Sequence, residues 1–284
     1  MLYRRAPGIH QTRFARGRLS AADGQSLCDH WPAHDRRPDG HRQTRLTERE
    51  IEGFKNTEEL KKHIPNTITC CNLISGCIAT YFAFLGNYEL ALLFIVIGAV
   101  FDFFDGMSAR LLGVSSPIGK ELDSLADDIT FGFAPSAIIF NYLSTFHIHL
   151  LFVPFLAFVM AAFSALRLAK FNLDERQALG FIGLPTPANA LFWGSLIAGA
   201  GEWISSWEYA PYLIVAGIFV SSYLLIAEIP MFALKFKHWG WKGNEIKYIF
   251  ILSCIPLLLW LGISGFAAII AWYIILSVFT KNRS

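Results

Sequence analysis

The sequence predicts an all-α membrane protein, a polytopic bundle of about eight transmembrane helices with both termini in the cytoplasm. Of its 284 residues, 54% are hydrophobic and 16% are charged, an apolar excess too large for an ordinary soluble domain. The apolar residues occur in runs close to the length, about 20 residues, that a helix needs to cross a bilayer. Lys and Arg are confined to alternate loops between these runs. These features exclude a disordered chain and a small disulfide-stapled scaffold.

Residues 1–60 form a basic segment ahead of the apolar region. Before Ile64 the chain has 13 Lys and Arg against 9 Asp and Glu, and no apolar run of the kind that a secretory signal requires. We interpret this segment as a disordered extension that contacts anionic lipid headgroups; the alternative is a start codon assigned too far upstream. The net charge of the whole chain is only +2, so we expect no nucleic-acid partner. A chain beginning near Thr57 is expected to keep full activity, and its inactivity despite normal expression would contradict this.

The transmembrane domain, residues 61–284, contains the predicted passes in a regular order. The last two belong to one continuous apolar stretch, which is too long for a single crossing and contains a turn signal at 262–265. Counting this stretch as one pass gives the alternative total of seven. The predicted passes are 64–85, 88–109, 121–144, 149–170, 184–203, 209–230, 245–262 and 265–280.

The loops between these passes differ in charge. When alternate loops are assigned to opposite sides, every Lys and Arg after Ile64 falls on the side of the N-terminus. Because cytoplasmic loops are enriched in basic residues, the charged loops and both termini are predicted to be cytoplasmic. Seven passes would send Lys281 and Arg283 to the outside, so this pattern favours eight.

Four aspartates interrupt the facing ends of the second and third passes. Asp102 and Asp105 are spaced i, i+3 on the second pass. Asp123 and Asp127 are spaced i, i+4 on the third, so each pair projects from one face of its helix. An unpaired carboxylate costs about 2.5 kcal/mol or more to insert into a membrane, and neighbouring carboxylates also repel each other. A cation is therefore expected between them, and hard oxygen ligands suit one or two Mg²⁺ or Mn²⁺ ions, which would bind a pyrophosphate.

The spacing alone leaves two other interpretations open. The aspartates form an interhelical salt-bridge set with Arg110 and Lys120, or they line a proton or cation pathway through a transporter. Two basic residues leave two of the four charges uncompensated, which disfavours the salt-bridge set. The aspartates cluster at the cytoplasmic ends of adjacent passes, and no comparable acidic residue marks the middle of the other passes, which disfavours the transporter.

The residues around these aspartates follow a fixed spacing. The sequence reads Asp102-x-x-Asp105-Gly106-x-x-Ala109-Arg110, then eight residues, then Gly119-x-x-x-Asp123-x-x-x-Asp127. This pattern resembles the signature of the CDP-alcohol phosphotransferase family at every fixed position. The resemblance implies an integral membrane enzyme that moves a phosphatidyl or related group from a CDP-linked lipid or alcohol to an acceptor hydroxyl. It also implies that CMP is released and that two divalent metal ions are used.

The resemblance further implies roles for individual residues. Asp127 is expected to accept the proton of the attacking hydroxyl. The run IPNTIT at 64–69 resembles the opening of the first pass in this family, which places Asn66 and Thr69 near the nucleotide. The expected metal ligands are Asp102, Asp105, Asp123 and Asp127. The expected contacts to the CDP-lipid are Asn66, Thr69, Gly106, Ala109, Arg110, Ser116 and Gly119.

Three further stretches, 122–136, 164–172 and 180–190, resemble the membrane-embedded phosphatidylserine synthase branch of bacteria and archaea. This resemblance implies that CDP-diacylglycerol is the donor and L-serine the acceptor. It also implies that the protein is a homodimer in contact with membrane lipids. The active site would lie on the cytoplasmic side of a bacterial or archaeal cell membrane. The expected contacts to serine are Arg167, Lys170 and Asn172, although Lys170 replaces the Arg that is more usual there. The alternatives are a glycerol 3-phosphate or inositol phosphate acceptor and, for the basic residues, an ordinary cytoplasmic excess of positive charge.

Overall fold

The computed structural model describes residues 48–146, 150–173, 183–229, 231, 240 and 244–280. These residues belong to the second of two units, Met1–Arg45 and Leu46–Ser284, into which the chain separates. Every regular element among them is helical, which confirms the predicted all-α class. The predicted N-terminal extension lies outside the described residues as far as position 47.

Within the described ranges, nine α-helices follow one another along the chain, and the first begins well before the predicted pass at 64. A π-helical turn, Asp128–Phe133, joins the third helix directly to the fourth. Short 3₁₀ turns at Pro154–Leu156 and Gly262–Ser264 precede the fifth and the last. The helices are α1 (Glu48–Phe84), α2 (Tyr88–Leu112), α3 (Pro117–Asp127), α4 (Ala134–Ser144), α5 (Ala157–Leu173), α6 (Thr186–Ser205), α7 (Ala210–Ile226), α8 (Glu245–Leu261) and α9 (Gly265–Thr280).

Local capping explains where the helices that carry the aspartates begin and end. Asn87 caps α2, because its Oδ1 accepts a hydrogen bond of 3.1 Å from the backbone N–H three residues later. α2 ends at Gly113, whose φ of 63° lies in the left-handed region that glycine adopts without strain. Ser116 caps α3 by accepting a hydrogen bond of 2.9 Å from the Gly119 N–H, and Pro117 occupies the first turn. This short connection brings the end of α2 next to the start of α3.

Two predicted passes need correction. The pass predicted at 149–170 starts too early, because Pro154 opens a 3₁₀ turn and α5 begins only at Ala157. The pass predicted at 209–230 ends too late, because the residue after Ile226 has an extended backbone. From the second pass onward, the other predicted passes agree with helices of the structure to within a few residues.

Four helical stretches in the described part of the chain are long and apolar enough to cross a membrane, as expected of a membrane protein. The fourth is not one straight helix, because Gly262 has a φ of 56° and a Cβ on Gly265 would lie 2.8 Å from the carbonyl oxygen of Leu257. α9 therefore folds back beside α8, at the turn expected from the sequence. The count of eight passes and the cytoplasmic termini stay predictions. The four stretches are His63–Phe84, Tyr88–Leu112, Pro154–Leu173 and Glu245–Phe279.

Small side chains allow the helices to pack closely inside the bundle. α1 packs extensively against α2, and Ala79, Ala83 and Ala91 of these helices are fully buried in the core. Large apolar side chains cover much of the outside, for example Leu259 at 83% and Trp260 at 88% exposure. An exterior of this kind is suited to lipid rather than water.

Candidate active site

Three aspartates converge where the end of α2 meets α3. Asp102, Asp123 and Asp127 each offer one carboxylate oxygen, and these oxygens lie within 4.8 Å of one another. All three side chains are partly buried. The spacing of four residues puts Asp123 and Asp127 on one face of α3, and the sharp connection after α2 turns that face towards Asp102. Three carboxylates this close together repel each other unless a cation lies among them.

Asp105 lies outside this triad and is held by α1. It is 6% exposed, and its Oδ2 accepts a hydrogen bond of 2.7 Å from the hydroxyl of Thr69. Thr69 is itself buried, at 3% exposure. The two aspartates of α2 therefore have different neighbours, since Asp102 faces α3 and Asp105 contacts α1.

Asn72 of α1 orients the carboxylate of Asp127. Its Nδ2 donates a hydrogen bond of 3.1 Å to Asp127 Oδ1, and the Asn72 side chain is fully buried. Sequence reasoning missed this residue. The available signal was its position three residues after Thr69 and six after Asn66, which places all three near one face of α1.

The π-helical turn that follows Asp127 is attached to α1 through Thr130. Its hydroxyl donates a hydrogen bond of 3.0 Å to the backbone carbonyl of Asn72. Two glycines allow this approach, because a Cβ on Gly76 would lie 2.8 Å from Thr130 Cα and one on Gly98 would lie 2.5 Å from Thr130 Cγ2. No other residue type leaves enough room at either position without a shift. The position of Asp127 relative to α1 and α2 depends on this packing.

A cleft of about 270 Å³ opens beside the aspartates, lined by the middle of α1, the end of α2 and the start of α3. Gly119 lines this cleft, and a Cβ there would lie 2.8 Å from Asn66 Oδ1 and 2.9 Å from Ser116 Oγ, so both side chains would have to move. Asp105 and Asp123 also line it. Six of the seven residues expected to contact the CDP-lipid line this cleft, namely Asn66, Thr69, Gly106, Ala109, Ser116 and Gly119.

The two basic residues nearest the aspartates make other contacts. Arg110 is exposed, and its Nε donates a hydrogen bond of 3.1 Å to the carbonyl of Gly106. Lys120 Nζ donates a hydrogen bond of 2.9 Å to the backbone carbonyl of Asn172, which links α3 to α5. Neither contact neutralises an aspartate, so the interhelical salt-bridge interpretation has no support here. The donor set of clustered carboxylate oxygens fits a divalent cation.

The three residues expected to contact serine have different surroundings on α5. Arg167 is 8% exposed, and its Nη1 lies 3.5 Å from Thr186 Oγ1 at the start of α6. Lys170 is exposed. Asn172 donates a hydrogen bond of 2.8 Å to Ser124 Oγ. Of the three, only Arg167 is buried in the bundle.

One more acidic residue was missed. Asp128, directly after Asp127, lies against Ser164 of α5 rather than in the triad. It falls outside the spacing of the family signature, so the only signal in the sequence was an additional carboxylate in an apolar pass.

With this geometry in place, comparison with known proteins identifies the class of protein. Residues 62–200 match the CDP-alcohol phosphatidyltransferase family. A protein of Bacillus subtilis is 37% identical over 187 residues, which cover 64% of this chain and 94% of that relative. The chain therefore belongs to this family.

Relatives in the comparison share one name. The Bacillus subtilis protein is a CDP-diacylglycerol–serine O-phosphatidyltransferase. So is a Mycobacterium leprae protein that is 35% identical over 181 residues, covering 59% of this chain and 57% of that relative. A third protein of that name, from Methanocaldococcus jannaschii, is 32% identical over 206 residues, which cover 72% of this chain and 86% of the relative. The resemblance to the phosphatidylserine synthase branch is thereby confirmed.

Proposed function

We propose that the chain transfers the phosphatidyl group of CDP-diacylglycerol to the hydroxyl of L-serine, giving phosphatidylserine and CMP. The observation that carries this proposal is the convergence of Asp102, Asp123 and Asp127 beside a cleft lined by the residues expected to contact the CDP-lipid. The relatives named CDP-diacylglycerol–serine O-phosphatidyltransferase support the choice of donor and acceptor.

The cleft is suited to the CDP end of the donor. Gly119 leaves space between Asn66 and Ser116 that a side chain would fill. Arg110 lies beyond Gly106 at the exposed end of α2, where its charge attracts a phosphate. The acyl chains stay in the bilayer, since the described helices have apolar exteriors.

The four aspartates of the signature would hold two divalent cations, Mg²⁺ or Mn²⁺. When bound, these ions supply charge neutralisation for the pyrophosphate and its leaving oxygen. Asp105 keeps its hydrogen bond from Thr69 within this arrangement, which fixes its carboxylate against α1. Asp102, Asp123 and Asp127 already have oxygens within 4.8 Å of one another, so little movement is needed to share a ligand.

Asp127 acts as the general base. The serine hydroxyl oxygen attacks the phosphorus on the diacylglycerol side of the pyrophosphate. A new O–P bond forms as the P–O bond to CMP breaks, CMP keeps the bridging oxygen, and the hydroxyl proton moves to Asp127. Asn72 holds one oxygen of this carboxylate, which fixes its orientation for the proton transfer.

Serine and CDP-diacylglycerol meet on the cytoplasmic side of a bacterial or archaeal cell membrane. Arg110, Lys120 and Lys170 lie at the ends of the helices that carry the site, which agrees with the positive charge of cytoplasmic loops. Arg167 would bind the serine carboxylate, which its burial at 8% exposure close to Asp127 supports. A homodimer is expected from the family resemblance, and the mass of the purified protein in detergent tests this.

The proposed function is tested by CMP release from the purified full chain in detergent, supplied with CDP-diacylglycerol and Mg²⁺ or Mn²⁺. L-serine, glycerol 3-phosphate and an inositol phosphate are added in turn. We expect release only with L-serine, and its loss with a chelator and in Asp123→Asn. Release with another acceptor alone would change the proposed substrate. The absence of release with every acceptor, from folded protein, would favour the transporter.

A further inference from the structure

We infer that Asp128 and Arg167 bind the two charged groups of the amino-acid acceptor, with Asp128 binding the ammonium and Arg167 the carboxylate. Asp128 would then be a specificity-determining residue that distinguishes an amino acid from an acceptor without an ammonium group. This inference rests on the proposed function, because it assumes that the acceptor is a zwitterion. It adds a residue that the family signature does not contain.

Asp128 faces α5 rather than the aspartate triad. It is the first residue of the π-helical turn, and one residue along a helix turns the side chain by about 100° from Asp127. A Cβ on Gly132 would lie 2.6 Å from Asp128 Oδ1 and 2.9 Å from Ser164 Oγ. The Asp128 carboxylate and the Ser164 hydroxyl therefore flank Gly132 at the contact between the π-helical turn and α5.

Several polar atoms at this contact have no well-aligned hydrogen bond among the described residues. Asp128 Oδ1 and Ser164 Oγ lie against each other and are both buried, and neither makes a well-aligned hydrogen bond with any other described residue. Arg167 Nε is also buried, and no described residue accepts a hydrogen bond from it. Buried polar atoms are nearly always paired in proteins, and an unpaired charged group is especially unfavourable. A buried oxygen of a carboxylate and a buried nitrogen of a guanidinium that lack such partners favour a ligand with complementary groups.

The arrangement suits a zwitterion next to the general base. Ser164 and Arg167 are three residues apart, so they lie on one face of α5. Arg167 is near enough to Asp127 for their charges to interact, and Asp128 is its chain neighbour. The contact of Arg167 with Thr186, at 3.5 Å, is long and leaves donors for a ligand. An amino acid between Asp128 and Arg167 would have its hydroxyl within reach of Asp127.

The other polar residues of α5 are less suited to this role. The side-chain Nδ2 of Asn172 already donates a hydrogen bond to Ser124 Oγ, and its backbone carbonyl accepts one from Lys120 Nζ. Lys170 is exposed. Asp128 and Arg167 are therefore the best-placed pair of opposite charges between the π-helical turn and α5.

The test compares three acceptors that differ only in their charged groups. L-serine carries both, 3-hydroxypropanoate lacks the ammonium, and ethanolamine lacks the carboxylate. CMP release is measured with each acceptor for the wild type, Asp128→Asn and Arg167→Gln. The control is Glu121→Gln, which makes the same carboxylate-to-amide change at an exposed position of α3.

We expect Asp128→Asn to raise the KM for L-serine about 10- to 100-fold, the range for losing a hydrogen bond to a charged group. The KM for 3-hydroxypropanoate should change less than about twofold, because that acceptor has no ammonium to lose. Arg167→Gln should reduce the preference for serine over ethanolamine in the same way. Glu121→Gln should match the wild type with every acceptor.

A purely structural role predicts a different pattern. If Asp128→Asn lowers kcat equally for all acceptors and leaves the KM for serine unchanged, the assignment of Asp128 is wrong. If Asp128→Asn does not purify as folded protein, Asp128→Glu replaces it. The glutamate keeps the charge, so it should raise the KM for serine and still prefer serine to 3-hydroxypropanoate, and loss of that preference would overturn the inference. A wild type that releases no CMP with serine would instead reject the proposed function.

Discussion

At the scale of single residues, the orientation of Asp127 depends on an amide that no motif includes. The Asn72 side chain is fully buried in α1 and donates to one oxygen of Asp127. Among the described residues, Asn72 Oδ1 has no hydrogen-bond partner, so the side chain of Asn72 is bonded to Asp127 alone in that part of the chain. The amide therefore serves the carboxylate rather than a wider network.

We expect Asp127→Asn to lower turnover by about 100-fold or more, because an amide does not accept the proton of the serine hydroxyl. CDP-diacylglycerol should still bind, since the cleft residues around Gly119 are unchanged. CMP release and binding of labelled donor measure the two effects. Near-normal turnover would remove Asp127 from its catalytic role.

Replacing Asn72 should weaken catalysis without removing the base. We expect Asn72→Ala to lower kcat about 10- to 100-fold, since small misplacement of a catalytic group has effects of this size, with little change in the KM for serine. The control is Thr80→Ala, two turns further along α1, whose hydroxyl donates a hydrogen bond of 2.9 Å to the carbonyl of Gly76 within the same helix. Equal kcat values in the two variants would show that Asn72 does not position the base.

At the scale of elements, the π-helical turn Asp128–Phe133 lets one continuous helical segment serve two purposes. α3 presents Asp123 and Asp127 to α2, whereas α4 packs in the apolar core. The wider π-helical turn adds a residue between α3 and α4, which rotates the face of α4 relative to the face of α3. Thr130 within this turn packs against Gly98 of α2. Such turns are frequent at functional sites, and this one begins directly after Asp127.

A side chain at position 98 should disturb this packing. The Cβ of Gly98→Ala would lie 2.5 Å from Thr130 Cγ2 and 2.9 Å from Asn72 Oδ1, so both must move. We expect a lower melting temperature and at least about tenfold lower kcat, because Asn72 also orients Asp127. The control is Gly201→Ala in α6, whose nearest contact would be a Tyr142 ring atom at 3.3 Å. A Gly98→Ala variant as active and stable as the control would contradict this account of the packing.

At the scale of the whole molecule, the acidic site lies at the same ends of the helices as the basic side chains. α1 contributes the first turns of its apolar part, His63–Phe84, and α2 its last turns. α3 contributes residues along its whole length and α5 contributes its last turns. Arg110, Lys120 and Lys170 occupy the same region. A soluble substrate and a membrane lipid meet most easily at such an end, since the rest of the described exterior is largely apolar.

Binding of a divalent cation should stabilise the whole bundle, because it removes repulsion among Asp102, Asp123 and Asp127. At 100 times the dissociation constant, ligand binding contributes about 2.7 kcal/mol. We therefore expect Mg²⁺ or Mn²⁺ to raise the melting temperature of the full chain in detergent by several degrees, and EDTA to reverse the change. Asp102→Asn should reduce the shift and Glu121→Gln should keep it. An equal shift in Asp102→Asn would place the ion elsewhere.

Much of the fold and of the candidate site is predictable from the sequence, because the patterns that indicate them lie within single helices. The apolar runs predict helices, and the fixed spacing of the aspartates predicts which faces carry carboxylates. Part of the cleft is predictable in the same way, since Gly106, Ala109 and Gly119 belong to the same signature. Helix boundaries are less predictable where a proline or an extended residue interrupts an apolar run, as at Pro154 and Ala227.

The sequence by itself determined the all-helical class, the family and the residues of the acidic site. Only the tertiary structure decided that Asp105 pairs with Thr69, that Asn72 orients Asp127 and that Asp128 faces Ser164. The reason is physical: spacing along one helix fixes which side chains share a face, whereas contacts between residues on different helices depend on how those helices pack. In this chain that packing depends on glycines and on a π-helical turn, which no hydropathy pattern specifies.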